Sequence, residues 1–183
     1  MTTAQGFVAD RPEQIDALAS PARQEIVDVL EVSGPCTAAE LARQTGRAAD
    51  SLYYHLRQLI AVDLVTESAG ERGEAQFDLP GRPFRVSYAA LAAHPDGLAR
   101  MARGILRLTE RNLASAAADG RLELDPPNFM VGRAQGWFTR AEADELLALL
   151  QRAHRRALEH RDPGAGERYA ITLALTPLPC NRS

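Results

Sequence analysis

The chain has 183 residues and a formal net charge of −3 at pH 7. With 45% hydrophobic and 25% charged residues it has the composition of a globular protein, and it contains no run of the roughly 20 apolar residues that a membrane span requires. The first ten residues lack the basic and apolar segments of a secretory signal, so we expect a cytoplasmic protein. All 21 basic residues are arginines, outnumbered by 24 acidic ones, so binding to nucleic acid would need a local surface.

Residues 1–11 show no pattern, and helix signals begin at Pro12, which opens a short first helix. Ser20-Pro21 is typical of the start of a second helix, which must end before Gly34-Pro35 because proline cannot continue it. A capping box, Thr37-x-x-Glu40, starts the third helix. Gly46 ends the third helix, since glycine accepts the positive φ of a tight turn.

A fourth helix is predicted over 48–61, followed by a β-hairpin. Two short runs with β character, 63–67 and 75–79, are separated by Gly70 and Gly73, which indicates the hairpin. The sequence from Pro80 to Pro83 then marks a module boundary. Large apolar residues of the fourth helix repeat at i, i+4, i+7 and i+8 and predict one buried stripe, formed by Leu52, Leu56, Leu59 and Ile60.

Helices followed by a hairpin, with a glycine turn before the last helix, are the arrangement of a winged helix-turn-helix. If the apolar stripe is buried, the opposite face of helix 48–61 can enter a major groove. There, Arg and Gln read base edges, while Tyr and Ser hydroxyls bind phosphates. Tyr53 is expected to be more buried than Tyr54, and His55 is either a structural residue or a DNA contact. The candidate DNA-binding residues are Arg47, Ser51, Tyr53, Tyr54, Arg57 and Gln58, with Arg72 at the hairpin tip.

The charge of this region favours few phosphate contacts. Acidic residues outnumber arginines between 20 and 85, and Arg72 at the hairpin tip lies between Glu71 and Glu74. We therefore expect modest DNA affinity unless a dimer supplements it. The acidic balance also leaves an alternative of another class, a winged-helix protein-interaction module that does not bind DNA.

Three segments and a short fourth one carry a resemblance to a known family. They are Leu18-Ala-Ser-Pro-Ala-Arg-Gln-Glu-Ile-Val-Asp-Val-Leu30, Thr37-Ala-Ala-Glu-Leu-Ala42, Ser51-Leu-Tyr-Tyr-His-Leu-Arg-Gln-Leu59 and Asp63-Leu-Val65. Over about residues 12–85 the chain resembles the ArsR-type winged-helix transcriptional regulators. This resemblance implies a homodimer that binds a double-stranded DNA operator through the 48–61 helix and responds to a small-molecule effector.

Two positions depart from the pattern of that family. Metal-sensing members carry a cysteine cluster in the helix that begins here at Thr37, whereas in this sequence Cys36 precedes that helix and stands alone. The resemblance therefore implies no metal site, and we expect no cofactor. Asp63 stands where the family has glycine, and aspartate tolerates the left-handed conformation better than most residues.

The predicted fold is α+β and mainly helical, in three parts. Residues 12–85 form the winged helix-turn-helix domain, 86–120 a helical dimerisation segment, and 121–183 a small β-α-β module for effector binding or dimerisation. The module combines a β run at 129–137, a helix capped by Thr139-x-x-Glu142 and a strand at 169–176.

The helix predicted at 97–118 has an apolar face and an arginine-rich face, and we expect them to have different roles. Its apolar face is too large for the flanking modules to cover, so we expect a second copy of the chain to bury it, with Gly104 allowing close approach. On the other face, the stripe of Arg100, Arg103, Arg107 and Arg111 is either a solvated surface or a phosphate site. The apolar face consists of Leu98, Met101, Ile105, Leu108 and Ala116.

No catalytic arrangement is present in the sequence. It has no nucleophile elbow, phosphate loop, dinucleotide fingerprint or His-Glu-x-x-His motif, so we expect no enzyme activity. His154 and His160 lie on different sides of their helix and cannot share a metal. A thiol redox sensor using Cys36 or Cys180 is a further alternative, although neither has a resolving cysteine nearby.

Overall fold

The computed structural model describes residues 6–70, 73–159 and 166–178. Helices dominate this part of the chain, and its strands are short. The helices are α1 (Pro12–Leu18), α2 (Pro21–Ser33), α3 (Ala38–Thr45), α4 (Ala49–Ile60), α5 (Tyr88–Ala93), α6 (Pro95–Ala118) and α7 (Arg140–Glu159). The strands are β1 (Phe7–Ala9), β2 (Cys36–Thr37), β3 (Thr66–Ala69), β4 (Ala75–Asp78) and β5 (Phe84–Val86).

Local end signals explain the bounds of α2 and α3. Gly34 adopts φ +78° after the last residue of α2, and Gly46 adopts φ +65° after α3. At the start of α3 the Thr37 N–H donates to Glu40 Oε2 at 2.8 Å, and the Glu40 N–H donates to Thr37 Oγ1 at 3.3 Å. The hydrogen bond from the Thr37 backbone, followed by the one from its hydroxyl, lowers the pKa of Glu40. The predicted capping box and glycine turn are confirmed.

The stripe on α4 forms part of the main hydrophobic core. Leu52, Leu56 and Leu59 are fully buried, as predicted, while Ile60 is half-buried at the edge. They pack in one cluster with apolar residues of α1, α2, α3 and β4. This burial fixes the rotation of α4 about its axis and leaves the opposite face outside the core.

The predicted hairpin is also present, three residues later than expected at its first strand. β3 and β4 pair antiparallel, with Thr66 opposite Asp78, and β2 joins the other edge of β4. Before β3, Asp63 adopts φ +58°, the left-handed conformation expected for a residue in the place of glycine. Its carboxylate accepts a hydrogen bond at 2.9 Å from Arg11, which also donates to the Val62 carbonyl at 2.6 Å.

Four elements, namely β1, β2, β5 and α5, were not predicted from the sequence. β1 (Phe7–Ala9) lies in the segment interpreted as unpatterned and pairs parallel with β5 (Phe84–Val86). The rings of Phe7 and Phe84 stack with their centroids 5.7 Å apart. A helix, α5, lies between β5 and α6, and Ser87 Oγ caps it by accepting from the Ala90 N–H at 3.3 Å.

The expectation that a second copy buries the apolar face of α6 is wrong for the centre of that face. Met101 and Leu108 are buried and Ile105 is half-buried, because α6 packs on α1 and α2 of the same chain. Gly104 does allow a close approach, but its neighbour is the α1–α2 turn. A Cβ added at Gly104 would lie 2.6 Å from the Ala19 carbonyl oxygen.

The β-α-β prediction for 121–183 is also wrong for the described residues. The helix is present as α7, but neither 121–139 nor 166–178 contains a strand, apart from one isolated bridge between Leu124 and Pro127. No residue of α7 is buried. Met130 is 95% exposed and Trp137 89% exposed, so neither side chain belongs to a core. Alternating apolar residues make a strand only when a neighbouring strand accepts their backbone hydrogen bonds.

Candidate nucleic-acid interface

The face of α4 opposite the core carries four of the predicted site residues. Ser51, Tyr54, Arg57 and Gln58 follow one another at helical spacing and are all exposed, with Tyr54 at 61%. We call these four residues the exposed α4 face. Their donors and acceptors are not used by the core, so they are available to a ligand that approaches this helix.

Tyr53 lies on the flank of α4, between the exposed α4 face and the hairpin. It is 46% exposed, and is therefore more buried than Tyr54, as expected. Its ring meets the ring of Phe77 in β4 edge-on, with centroids 6.4 Å apart and an interplanar angle of 76°. Because Phe77 is itself in the core, this contact sets the position of the hairpin relative to α4.

Arg47 is held by an acidic partner in the structure. Its Nε lies 2.9 Å from Glu25 Oε2, and Arg111 of α6 contacts the other carboxylate oxygen of Glu25. The side chains of Arg47 and Glu25 are both largely buried. The three residues join α2, the turn before α4 and α6. This network positions the start of α4, a role that sequence reasoning did not give to Arg47 because Glu25 lies 22 residues earlier.

His55, on the flank of α4, is half-buried and has two arginines nearby. Its Nδ1 is buried and has no hydrogen-bond partner among the described residues, so it is not the satisfied structural histidine that was one alternative. Burial, and then the positive charges of Arg23 and Arg47, lower the pKa of His55 below its usual value. The imidazole is therefore neutral at pH 7.

This environment predicts a dependence of stability on pH. An unfolded chain protonates His55 near its ordinary pKa, whereas the folded chain, with the lowered pKa, protonates it only at lower pH. The unfolded state therefore binds more protons in that range, and the free energy of unfolding falls as the pH drops through about 6.5. Urea unfolding followed by circular dichroism at a series of pH values should give a flatter profile for His55→Gln than for the parent. The exposed His154→Gln serves as the control, and equal slopes for His55→Gln and the parent would contradict the assignment.

Arg23 is a residue near this surface that the sequence analysis did not identify. It is half-buried in the first turn of α2, and its guanidinium donates to the carbonyl oxygens of Ala17 and Asp16. Its positive charge helps to lower the pKa of His55. No sequence pattern pointed to it, because the turn between α1 and α2 decides where its side chain lies.

The hairpin supplies little positive charge in the part of the chain that the structure describes. Arg72, the predicted contact at its tip, lies outside the described residues. The described residues of the hairpin include Glu67, Glu74 and Asp78 but no arginine. Contacts from the hairpin to a polyanion would therefore depend on Arg72, on backbone groups and on exposed hydroxyls such as that of Ser68.

Metal binding, membrane spanning and thiol chemistry were each considered for residues 6–70, 73–159 and 166–178. No group of three His, Cys, Asp or Glu side chains there could hold a metal ion. No helix in those ranges is both long and apolar enough to cross a bilayer. Cys36 is buried, and this burial, followed by the charges of Glu40 and Asp78, raises the pKa of its thiol, which disfavours the reactive thiolate. Cys180 and His160 lie outside the described residues.

Comparison with known proteins identifies the N-terminal part. A family model described as a helix-turn-helix domain matches residues 18–68, which include α2, α3 and α4. The chain therefore contains a helix-turn-helix domain. No curated protein matches the chain. Among solved structures the chain is similar to BpsR of Bordetella bronchiseptica, whose DNA binding is regulated by 6-hydroxynicotinic acid, with 16% identity over 73% of this chain and 77% of that chain and a TM-score of 0.32.

Proposed function

We propose that this protein is a sequence-specific transcriptional regulator of the ArsR-type winged helix-turn-helix class, acting in the cytoplasm as a homodimer. One observation carries the proposal. Within the matched helix-turn-helix domain, α4 buries Leu52, Leu56 and Leu59 and leaves Tyr54 and Arg57 on its outer side. A recognition helix needs this division, because one face must hold it on the domain while the other enters the major groove.

Each residue of the exposed α4 face has a chemically suitable partner on duplex DNA. The guanidinium of Arg57 can donate to O6 and N7 of guanine, and the amide of Gln58 can pair with N6 and N7 of adenine. The hydroxyls of Ser51 and Tyr54 are suited to phosphate oxygens. In this proposal the β3–β4 hairpin is the wing, with Tyr53 at its junction with α4 and Arg72 at its tip. Arg47 acts mainly by fixing the start of α4 through Glu25.

The shortage of positive charge on the hairpin supports a dimer rather than a single copy at the operator. Two copies double the number of phosphate contacts and read two half-sites. With the centre of the α6 apolar face covered by its own chain, the exposed apolar side chains of the last third, such as Met130 and Trp137, are the better candidates for contact with a second copy. The operator should then be an inverted repeat with half-sites centred about one helical turn, roughly 34 Å, or a multiple of it apart.

The experiment that tests the function is the selection of bound fragments from the source genome, followed by titration at several salt concentrations. A regulator should enrich an inverted repeat, and its affinity should fall as salt rises while still favouring that repeat over unrelated DNA. The acidic balance of residues 20–85 favours the alternative of a protein-interaction module without DNA binding. Enrichment of no sequence, with no salt-dependent binding, would favour that alternative and contradict the proposal. We propose no enzyme activity for this chain. The proposed response to a small-molecule effector rests on the resemblance to the ArsR-type regulators.

A further inference from the structure

A cleft between α6 and the turn that joins α1 to α2 contains charged groups that the proposed DNA interface does not use. It lies where α6 crosses the turn between α1 and α2, has a volume of about 180 Å³ and is open to solvent on one side. This volume is below the usual several hundred Å³ of drug-sized ligand pockets, so a ligand would have to be small. We call it the arginine cleft, lined by Ala19, Pro21, Arg100, Arg103, Gly104 and Arg107.

The arginines along this side of α6 differ in their partners. Arg100 contacts Asp16 of α1, and Arg111 contacts Glu25 of α2. Within the described residues, Arg103 and Arg107, which lie between them, have neither an ion pair nor a hydrogen bond. The chain opposite them is the α1–α2 turn, where Ala19 and Pro21 provide no charge. Two positive charges therefore meet at one concave site without an acidic partner.

The backbone of α6 fixes the positions from which these two side chains extend. Arg103 and Arg107 are one helical turn apart, so they leave α6 on the same side. Between them, the absence of a side chain at Gly104 lets α6 approach the Ala19 carbonyl closely. At the end of the cleft Asp16 fixes Arg100 and accepts from His94 Nε2 at 3.0 Å. Burial raises the pKa of Asp16, but the hydrogen bonds from His94 and Arg100 outweigh it, so the pKa lies below its ordinary value and the carboxylate stays charged.

We propose that the arginine cleft binds a small ligand bearing a carboxylate or phosphate group, held by the guanidinium groups of Arg103 and Arg107. Guanidinium groups match the planar geometry and the charge of such oxyanions. We assign this cleft as the effector site, an assignment that rests on the proposed function as a regulator. The connection to DNA runs through Arg111, one turn after Arg107, because its partner Glu25 also holds Arg47 at the start of α4.

Direct binding tests the site without DNA. Isothermal titration of the full chain with inorganic phosphate and with benzoate, at constant ionic strength, should show saturable binding of at least one of them. The double variant Arg103→Gln/Arg107→Gln should bind the same anion with an affinity at least roughly tenfold lower, as expected for the loss of charge-assisted hydrogen bonds. The matched control is Arg152→Gln/Arg156→Gln on α7, which has the same spacing and the same charge change and should bind like the parent. Absence of saturable binding to the parent, or equal loss in both double variants, overturns the site.

A second measurement separates the effector role from DNA contact. The affinity for the selected operator is compared with and without the anion at a fixed ionic strength. A change in affinity for the parent that is absent in Arg103→Gln/Arg107→Gln supports the effector assignment, and an unchanged affinity of the parent overturns it. A different result is that, without any anion, the double variant binds the operator more weakly than the parent and with a smaller salt dependence. The two arginines would then bind DNA phosphates, and the effector assignment is overturned. A parent that binds the anion but no DNA contradicts the proposed function and leaves the binding site standing.

Discussion

Replacement of Leu56 with alanine is expected to lower the free energy of unfolding by about 2–5 kcal/mol, the range for large-to-small changes in a close-packed core. Leu56 is only 1% exposed and lies in the middle of the α4 stripe, between Leu52 and Leu59. The removed atoms lose their transfer free energy, and the neighbouring helices cannot close fully on the cavity. Urea unfolding followed by circular dichroism at 222 nm measures the change (about 1–3 kcal/mol/M is the usual slope for a small protein).

The control for this variant lies on the other side of the same helix. Gln58→Ala removes an exposed side chain from the exposed α4 face, and it should change the free energy of unfolding by no more than about 0.5 kcal/mol. If Leu56→Ala unfolded at the same urea concentration as the parent, Leu56 would not be buried and the rotation of α4 would be wrong. The pair of variants therefore tests the division of α4 into a buried and an outer face.

Replacement of Arg57 with alanine is expected to weaken operator binding by about 1–3 kcal/mol, or roughly 5- to 150-fold, with the fold intact. Arg57 is exposed, and its side chain forms no ion pair within residues 6–70, 73–159 and 166–178. Its loss should reduce the preference for the operator over unrelated DNA, because a base contact carries sequence information. Titration of both DNAs by fluorescence anisotropy measures the affinity and this ratio.

Two further variants distinguish kinds of contact. Tyr54→Phe removes only a hydroxyl, and it should weaken binding to operator and unrelated DNA to a similar extent if that hydroxyl contacts a phosphate. Arg140→Ala on α7 removes the same charge as Arg57→Ala at an exposed position outside the matched helix-turn-helix domain, and this variant should bind DNA as the parent does. Unchanged operator affinity for both Arg57→Ala and Tyr54→Phe would contradict the assignment of α4 as the recognition helix.

The helices of the matched domain could be predicted from sequence because their signals are local. Pro21, the Thr37-x-x-Glu40 box and Gly46 act through backbone atoms a few residues away, so their effect does not depend on the rest of the fold. The stripe on α4 is equally local, since helical spacing alone places Leu52, Leu56 and Leu59 on one side. The exposed α4 face follows from that stripe.

Features that depend on distant partners were missed or misplaced. β1 is too short to show alternation, and it forms because β5, over seventy residues later, supplies its hydrogen bonds. The orientation of Arg47 depends on its ion pair with Glu25. The burial of the α6 apolar face depends on how α6 packs across α1 and α2. The alternation at 169–176 resembles a strand, yet no partner strand meets it within the described residues. Periodicity states which faces are apolar, but not which surface covers them.

The missing side chain at Gly104 has a consequence for experiments on the arginine cleft. Because the Ala19 carbonyl oxygen would lie 2.6 Å from a Cβ at this position, a single methyl group there acts as a wedge between α6 and the turn. Gly104→Ala would therefore widen the gap between the two walls while every charge on them stays in place. Gly104→Ala and Arg103→Gln/Arg107→Gln therefore change the shape and the charge of this site separately.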